Sequence, residues 1–175
     1  MNIILSDINW LAVAVGTIVY CAFCGIWHRQ FAFGKKWEQA MGFDRPANWK
    51  ETNIYYVVPL ISCFVTTVVI SILLNLTNVN SFSDALTLGL LTGVGFATAI
   101  VFTTATIPTM KKPLVFGAIT GTAQALGIII VTLIIYAISK YTTKAEPLTA
   151  PTQKWRGRAN SNIRVPDKHW CVKTV

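Results

Sequence analysis

Four long apolar runs alternate with short polar segments along the chain, and none of them contains Lys, Arg, Asp or Glu in its interior. The runs cover residues 8–28, 54–76, 85–107 and 114–139. At 1.5 Å per residue, roughly 20 residues cross the hydrocarbon core of a bilayer. A helix on the surface of a soluble protein keeps a polar face, which these runs lack. The pattern therefore predicts an all-α fold, an integral membrane four-helix transmembrane bundle.

The composition changes abruptly after the fourth run. Residues 1–141 are expected to form the four-span transmembrane domain, with an interfacial first loop. Residues 142–175 are polar and basic, with Pro and Gly interruptions and no helical period, which predicts a flexible tail. The amino terminus carries Asp7 and no basic segment, so we expect no cleavable signal peptide and a retained first span.

The basic residues are unevenly placed. The chain is 53% hydrophobic and 13% charged, with a formal net charge of +8. Residues 29–51 and 111–112 hold seven Lys and Arg, whereas residues 1–6 and 75–83 hold none. The positive-inside rule then places loops 29–51 and 108–113 in the cytoplasm and both termini outside. Residues 140–175, which include the tail, oppose this assignment with eight basic residues, but short loops carry the stronger topology signal.

This charge lies beside apolar spans, which indicates contact with anionic lipid headgroups. The sequence indicates no nucleic-acid-binding fold that could present these basic residues, so no nucleic-acid partner is expected. The lipid bilayer is the expected partner, and the expected location is the cell (inner or plasma) membrane, as a multi-pass protein.

The first loop carries aromatic and basic residues in close succession. Residues 35–41 predict a short interfacial helix with Trp37 and Ala40 toward lipid. The aromatic side chains would lie at headgroup level, Gly34 would permit a tight turn and the lysines would meet phosphate. We interpret this segment as an interfacial anchor or, alternatively, as a binding site for a headgroup or an anionic ligand. Its residues are Trp27, Phe31, Phe33, Gly34, Lys35, Lys36 and Trp37.

Small residues recur every four positions in the third and fourth spans. Such stripes let helix backbones approach closely, which promotes helix association in lipid. Two interpretations remain open, packing within the chain and oligomerisation. The stripes consist of Gly89, Gly93 and Ala97 in the third span and of Gly117, Gly121 and Ala125 in the fourth.

Polar residues inside the spans are few. Gln124 is the most polar, and it suits either an interhelical hydrogen bond or a solute pathway. Together with Thr92, Thr103 and Thr104 it could line a cavity, with Cys21 and Cys24 nearby. No ionisable acid lies at depth, which argues against a proton-driven exporter.

The candidate metal ligands have simpler interpretations. Cys21 and Cys24 share a helical face, but a structural zinc site needs four ligands. The better interpretation is that both cysteines pack inside the span as small apolar residues. His28 has no opposing His or Met to complete a haem site. Paired carboxylates and a nucleophile–base set are also missing at membrane depth. We therefore expect no metal, no cofactor and no enzymatic activity.

The order of these segments resembles the small bacterial membrane proteins known as domain of unknown function 1761. The resemblance covers residues 8–139 and implies four spans without an assigned reaction. One difference is His28, where family members often have Tyr. The matching segments are Ile8-Asn9-Trp10-Leu11-Ala12-Val13, Gly25-Ile26-Trp27, Phe33-Gly34-Lys35-Lys36-Trp37, Met41-Gly42-Phe43, residues 85–95 and Pro113-Leu114-Val115-Phe116-Gly117.

Two functional hypotheses follow. The leading one is a non-enzymatic membrane protein that self-associates, as a homo-oligomer, or serves as a small subunit of a membrane assembly. The alternative is a carrier or channel for a small neutral or lipid-like solute, using the cavity around Gln124.

Overall fold

The computed structural model describes residues 8–145, with side chains described through Thr142. Within this range the chain is helical and contains no strand. The elements are α1 (Trp10–Trp27), α2 (Gly34–Met41), α3 (Ile54–Leu76), α4 (Phe82–Leu90), a π segment (Leu91–Thr98), α5 (Ala99–Ala105) and α6 (Pro113–Ala145). The expected tail lies outside the described residues from position 146 onward.

Four candidate membrane spans confirm the predicted fold class. They are Trp10–Trp27, Ile54–Leu76, Phe82–Ala105 and Pro113–Thr142. The first and second agree closely with the apolar runs. The third begins three residues before the predicted start, because Ser81 caps it by accepting a hydrogen bond from the Asp84 amide at 3.1 Å.

The first helix also begins at a local cap. The Asn9 side chain accepts a hydrogen bond from the Ala12 amide at 3.1 Å, which supplies a partner for one free amide of the first turn. At the far end of the chain, α6 continues past the predicted end at residue 139 and reaches Ala145. Its 33 residues would be roughly 50 Å long, more than a bilayer core requires.

Helix α6 is the centre of the bundle. Every other helix, including the short α2, packs against it. Half of its most apolar stretch is buried, against 17% for the third span. The core follows from this arrangement, since Val131 and Ile135 of α6 are almost fully buried among residues of α1 and α3.

The third span is not a continuous α-helix. Residues 91–98 form a π-helical segment between α4 and α5. The Thr98 hydroxyl donates to the carbonyl of Gly93, five residues earlier, and to that of Gly121 on α6, both at 3.1 Å. A π-helix is rare and is generally a single turn, so this eight-residue segment distinguishes the third span from an ordinary transmembrane α-helix.

The first and third loops meet at one end of the bundle. The Lys112 amide donates to the Ala40 carbonyl at 2.8 Å, which joins the hairpin before α6 to the end of α2. Gly42 ends α2 with φ 81°, a left-handed conformation that glycine adopts without steric cost. The Lys111 side chain packs beside it.

Candidate functional site

The small-residue stripes lie between the third span and α6. A Cβ on Gly89 would lie 3.2 Å from Ile129 Cα, and one on Gly93 would lie 2.8 Å from the Ala125 carbonyl oxygen. At distances this short, a side chain on either glycine would force neighbouring atoms to shift. The Gly89–Gly93 stripe is therefore occupied within the chain.

The stripe of the fourth span faces the same neighbour at a different depth. A Cβ on Gly117 would meet the Phe102 ring at 2.8 Å, and one on Gly121 would meet the Thr98 methyl group at 3.0 Å. Ala97 is half-buried against the core cluster. Both stripes thus serve one antiparallel pair of helices, each over a different part of its length.

The motif of the first loop packs on protein as well as facing outward. The Trp27 indole donates to the Ile119 carbonyl at 3.1 Å, and its ring stacks on Phe33 with centroids 4.5 Å apart. The Trp37 indole donates to the Thr120 hydroxyl at 3.0 Å. Two tryptophans expected as lipid anchors therefore hold the first loop to α6.

The apolar side of α2 faces protein, whereas the sequence led us to expect that it faces lipid. Ala40, expected to face lipid, is completely buried. Gly34 is buried because the backbone of Arg29 passes close by, with a hydrogen bond from the Gly34 amide to the Arg29 carbonyl at 3.0 Å. The apolar side of α2 packs on the fourth span, while Lys35 and Lys36 remain exposed. Phe31 is the most exposed aromatic of the motif, at 81%.

Sequence reasoning missed a buried acid in this helix. The Glu38 carboxylate pairs with Arg45, whose Nε donates at 3.1 Å, and Arg45 also pairs with Glu51 at 3.8 Å. Burial opposes ionisation of Glu38, but the hydrogen bonds from Arg45 and Gln30 outweigh it and hold its pKa below the ordinary value. This ion pair fixes the chain that follows α2.

Each of the four proposed cavity residues makes a hydrogen bond to another part of the chain. Gln124 accepts a hydrogen bond from the Tyr20 hydroxyl on α1. The Thr92 hydroxyl donates to the Leu88 carbonyl at 2.7 Å, within its own helix. Thr103 and Thr104 are exposed and likewise donate to carbonyls of their own helix. These hydrogen bonds therefore give the carrier alternative no support.

Two depressions of the described region lie elsewhere. One, of about 440 Å³, lies between the ends of α3 and α6 and is lined by Asn80, Tyr136 and Lys140 among others. The other, of about 250 Å³, lies beside α2 and is lined by Lys35, Glu38, Gln39, Phe43, Asp44 and Arg45. Neither contains a residue of the predicted cavity.

Three free thiols gather between α1 and α3. Cys63 is buried, and Cys21 and Cys24 pack against the same core cluster. Within residues 8–145 no group of three His, Cys, Asp or Glu side chains is arranged to hold a metal ion. The nearby His28 ring contacts the Cys24 carbonyl at 2.9 Å and packs edge-on against Trp37.

The first span packs on α6 through residues that the sequence reasoning did not select. Gly16 lies against Val131 and Thr67, and Gly127 lies beneath the ring of Tyr20. A signal was available for one of these contacts. Tyr20 is the only tyrosine inside the first run, and a buried phenol needs a hydrogen-bond partner such as the similarly isolated Gln124.

Four long apolar helices with these internal contacts define a multi-pass membrane protein. Residues 11–136 match a protein family described as "Protein of unknown function (DUF1761)". The match covers well over half of the chain, which therefore belongs to this family, and the resemblance noted from the sequence is confirmed. No curated protein and no solved structure matches the chain.

Proposed function

We propose that this protein is a non-enzymatic component of a bacterial inner membrane that associates with a second copy of itself or with another membrane subunit. In this proposal the first and third loops face the cytoplasm and the termini lie outside, following the distribution of basic residues. The proposal includes no cofactor and no nucleic-acid partner.

The observation that carries the proposal is the outward face of the third span. This span packs mainly on α6, and 17% of its most apolar stretch is buried. Its inner glycines are occupied by α6, as described above. On the opposite side, Leu91 is 62% exposed and Phe96 is 69% exposed.

A second row of small residues lies on this outward face. Nothing lies within 4 Å of where a Cβ on Gly95 would be, and Ala99 and Thr103 are exposed. Positions four residues apart share one side of a helix, and small side chains there allow another helix to approach closely. In lipid, this close backbone packing is a main source of helix association. The face therefore suits a second transmembrane helix.

Chemical cross-linking in native membranes tests the proposal. The natural chain should yield a discrete oligomer, or a discrete product with another membrane protein. Gly95→Leu should reduce that product severalfold, because a large side chain separates the helices. Gly25→Leu is the matched control, since Gly25 on the first span also has nothing within 4 Å. Monomer alone at every expression level, or equal loss in both variants, would contradict the proposal.

A further inference from the structure

Two lysine pairs that are far apart in sequence lie at one end of the bundle. Lys35 and Lys36 belong to the first turn of α2. Lys111 packs beside Gly42 at the other end of α2, and the Lys112 amide is bonded to the Ala40 carbonyl. From Lys36 to Gly42 the helix rises by roughly 9 Å. The pairs therefore mark the two ends of one short helix.

The charges of these lysines are not neutralised within the described part of the chain. Its two ion pairs are both made by Arg45, and they engage Glu38 and Glu51. All four lysines are exposed. One further acid, Asp44, lines the depression beside Lys35. The surface formed by α2 and the hairpin thus keeps an excess of positive charge.

This surface is held in place by tertiary contacts. The Trp37–Thr120 hydrogen bond fastens one side of α2 to the fourth span, and the Ala40–Lys112 bond fastens its end to the hairpin. The lysines are therefore presented together on a fixed support. Binding of an anion would require little ordering of the backbone, which lowers its entropic cost.

We propose that α2 and the hairpin form a binding surface for the headgroups of anionic phospholipids, with the Lys35–Lys36 and Lys111–Lys112 pairs contacting phosphate. The occupant is a lipid because the surface adjoins the ends of four membrane spans and Phe31, just before it, is 81% exposed. An exposed aromatic ring beside lysines is typical of a segment at the boundary between headgroups and acyl chains. The surface is distinct from the outward face of the third span.

Native mass spectrometry of the purified full chain tests this inference without dependence on membrane orientation. The protein is released from detergent after incubation with an equal mixture of phosphatidylglycerol and phosphatidylcholine with matched acyl chains. The natural chain should retain phosphatidylglycerol preferentially. Each lysine near a phosphate strengthens binding about fivefold, so K111Q/K112Q and K35Q/K36Q should each lower retention more than tenfold.

Lys140→Gln is the matched control. Lys140 is also an exposed cation at the end of a span, and it donates to the Tyr136 hydroxyl at the opposite end of α6. This variant should keep the natural lipid preference. Equal retention of the two lipids by the natural chain, or an equal loss in K140Q, would overturn the inference. Displacement of the lipid by millimolar inorganic phosphate would assign the surface to a free anion and would also overturn it.

The folded state is followed in parallel by the thermal unfolding of each variant in detergent. Unchanged unfolding together with lost lipid retention supports a headgroup contact. Unchanged unfolding with unchanged retention contradicts it. The oligomer found by cross-linking is a separate measurement, so the lipid surface and the proposed association can fail independently.

Discussion

The hydroxyl of Tyr20 on α1 donates a hydrogen bond to the amide oxygen of Gln124 on α6. Tyr20 is 2% exposed, and its ring covers Gly127 on the next turn of α6. The carrier hypothesis assigns Gln124 to a solute pathway, but in the structure its side chain is hydrogen-bonded between the first and fourth spans. Tyr20 therefore joins α1 to α6 in two ways, through packing of its ring on Gly127 and through the hydrogen bond to Gln124.

The Tyr20–Gln124 bond is expected to couple the two residues energetically. Tyr20→Phe and Gln124→Leu should each destabilise the bundle, and the double variant should be less destabilised than their sum by about 0.6–2 kcal/mol. The measurement is a double-mutant cycle of unfolding in mixed detergent micelles. Additive effects would show that the bond contributes nothing to stability.

The π segment offers a matched pair of glycines with opposite surroundings. Gly93→Ala should destabilise the protein by about 1–3 kcal/mol, because its Cβ would lie 2.8 Å from the Ala125 carbonyl oxygen. Gly95→Ala should be neutral or slightly stabilising, since its Cβ meets nothing and alanine restricts the unfolded chain. Thermal unfolding in detergent compares the two. Equal effects would contradict this assignment of inner and outward faces.

The docking of α2 depends on an indole hydrogen bond. Trp37→Phe keeps an aromatic ring but removes the donor to Thr120, so it should cost about 0.5–1.5 kcal/mol and raise amide hydrogen exchange in α2. Trp49→Phe is the control, because Trp49 contacts Phe43 and Tyr55 through its ring. Unchanged exchange in α2, or an equal increase in the control, would count against the role of this bond.

The Glu38 ion pair predicts a pH dependence of stability. Burial disfavours the charged carboxylate, but the hydrogen bonds from Arg45 and Gln30 lower its pKa in the folded state below 4.5. The unfolded chain then binds the proton more tightly. The stabilisation is present above the unfolded pKa and is lost as pH falls through the lower, folded value.

The measurement for Glu38 is thermal unfolding in detergent from about pH 7 to about pH 3. The natural chain should lose stability below about pH 4.5, where the Glu38 carboxyl group begins to bind a proton in the unfolded chain but not yet in the folded one. Glu38→Gln should be less stable at neutral pH and should lose less on acidification. Asp44→Asn, in the same segment, is the control. Identical pH profiles for the natural chain and Glu38→Gln would refute the contribution.

The four spans were predictable from the sequence because lipid imposes one simple requirement. A chain that crosses a bilayer must satisfy its backbone within a helix and expose apolar side chains, so length and composition alone mark each span. The family could also be recognised from the sequence, because the Phe33-Gly34-Lys35-Lys36-Trp37 motif is contiguous in the chain and can be identified without knowledge of the tertiary structure. A buried glycine against the Arg29 backbone explains part of that motif.

The partners of the helices were decided only by the tertiary structure. In lipid all apolar faces are chemically alike, so the helix that packs against a stripe such as Gly89–Gly93 cannot be predicted from the stripe itself. The contacts of Tyr20 with Gln124 and of Lys112 with Ala40 join positions far apart in the chain and depend on helix rotation and depth. Rotation is set by the packing of side-chain volumes between helices, which no single span encodes by itself.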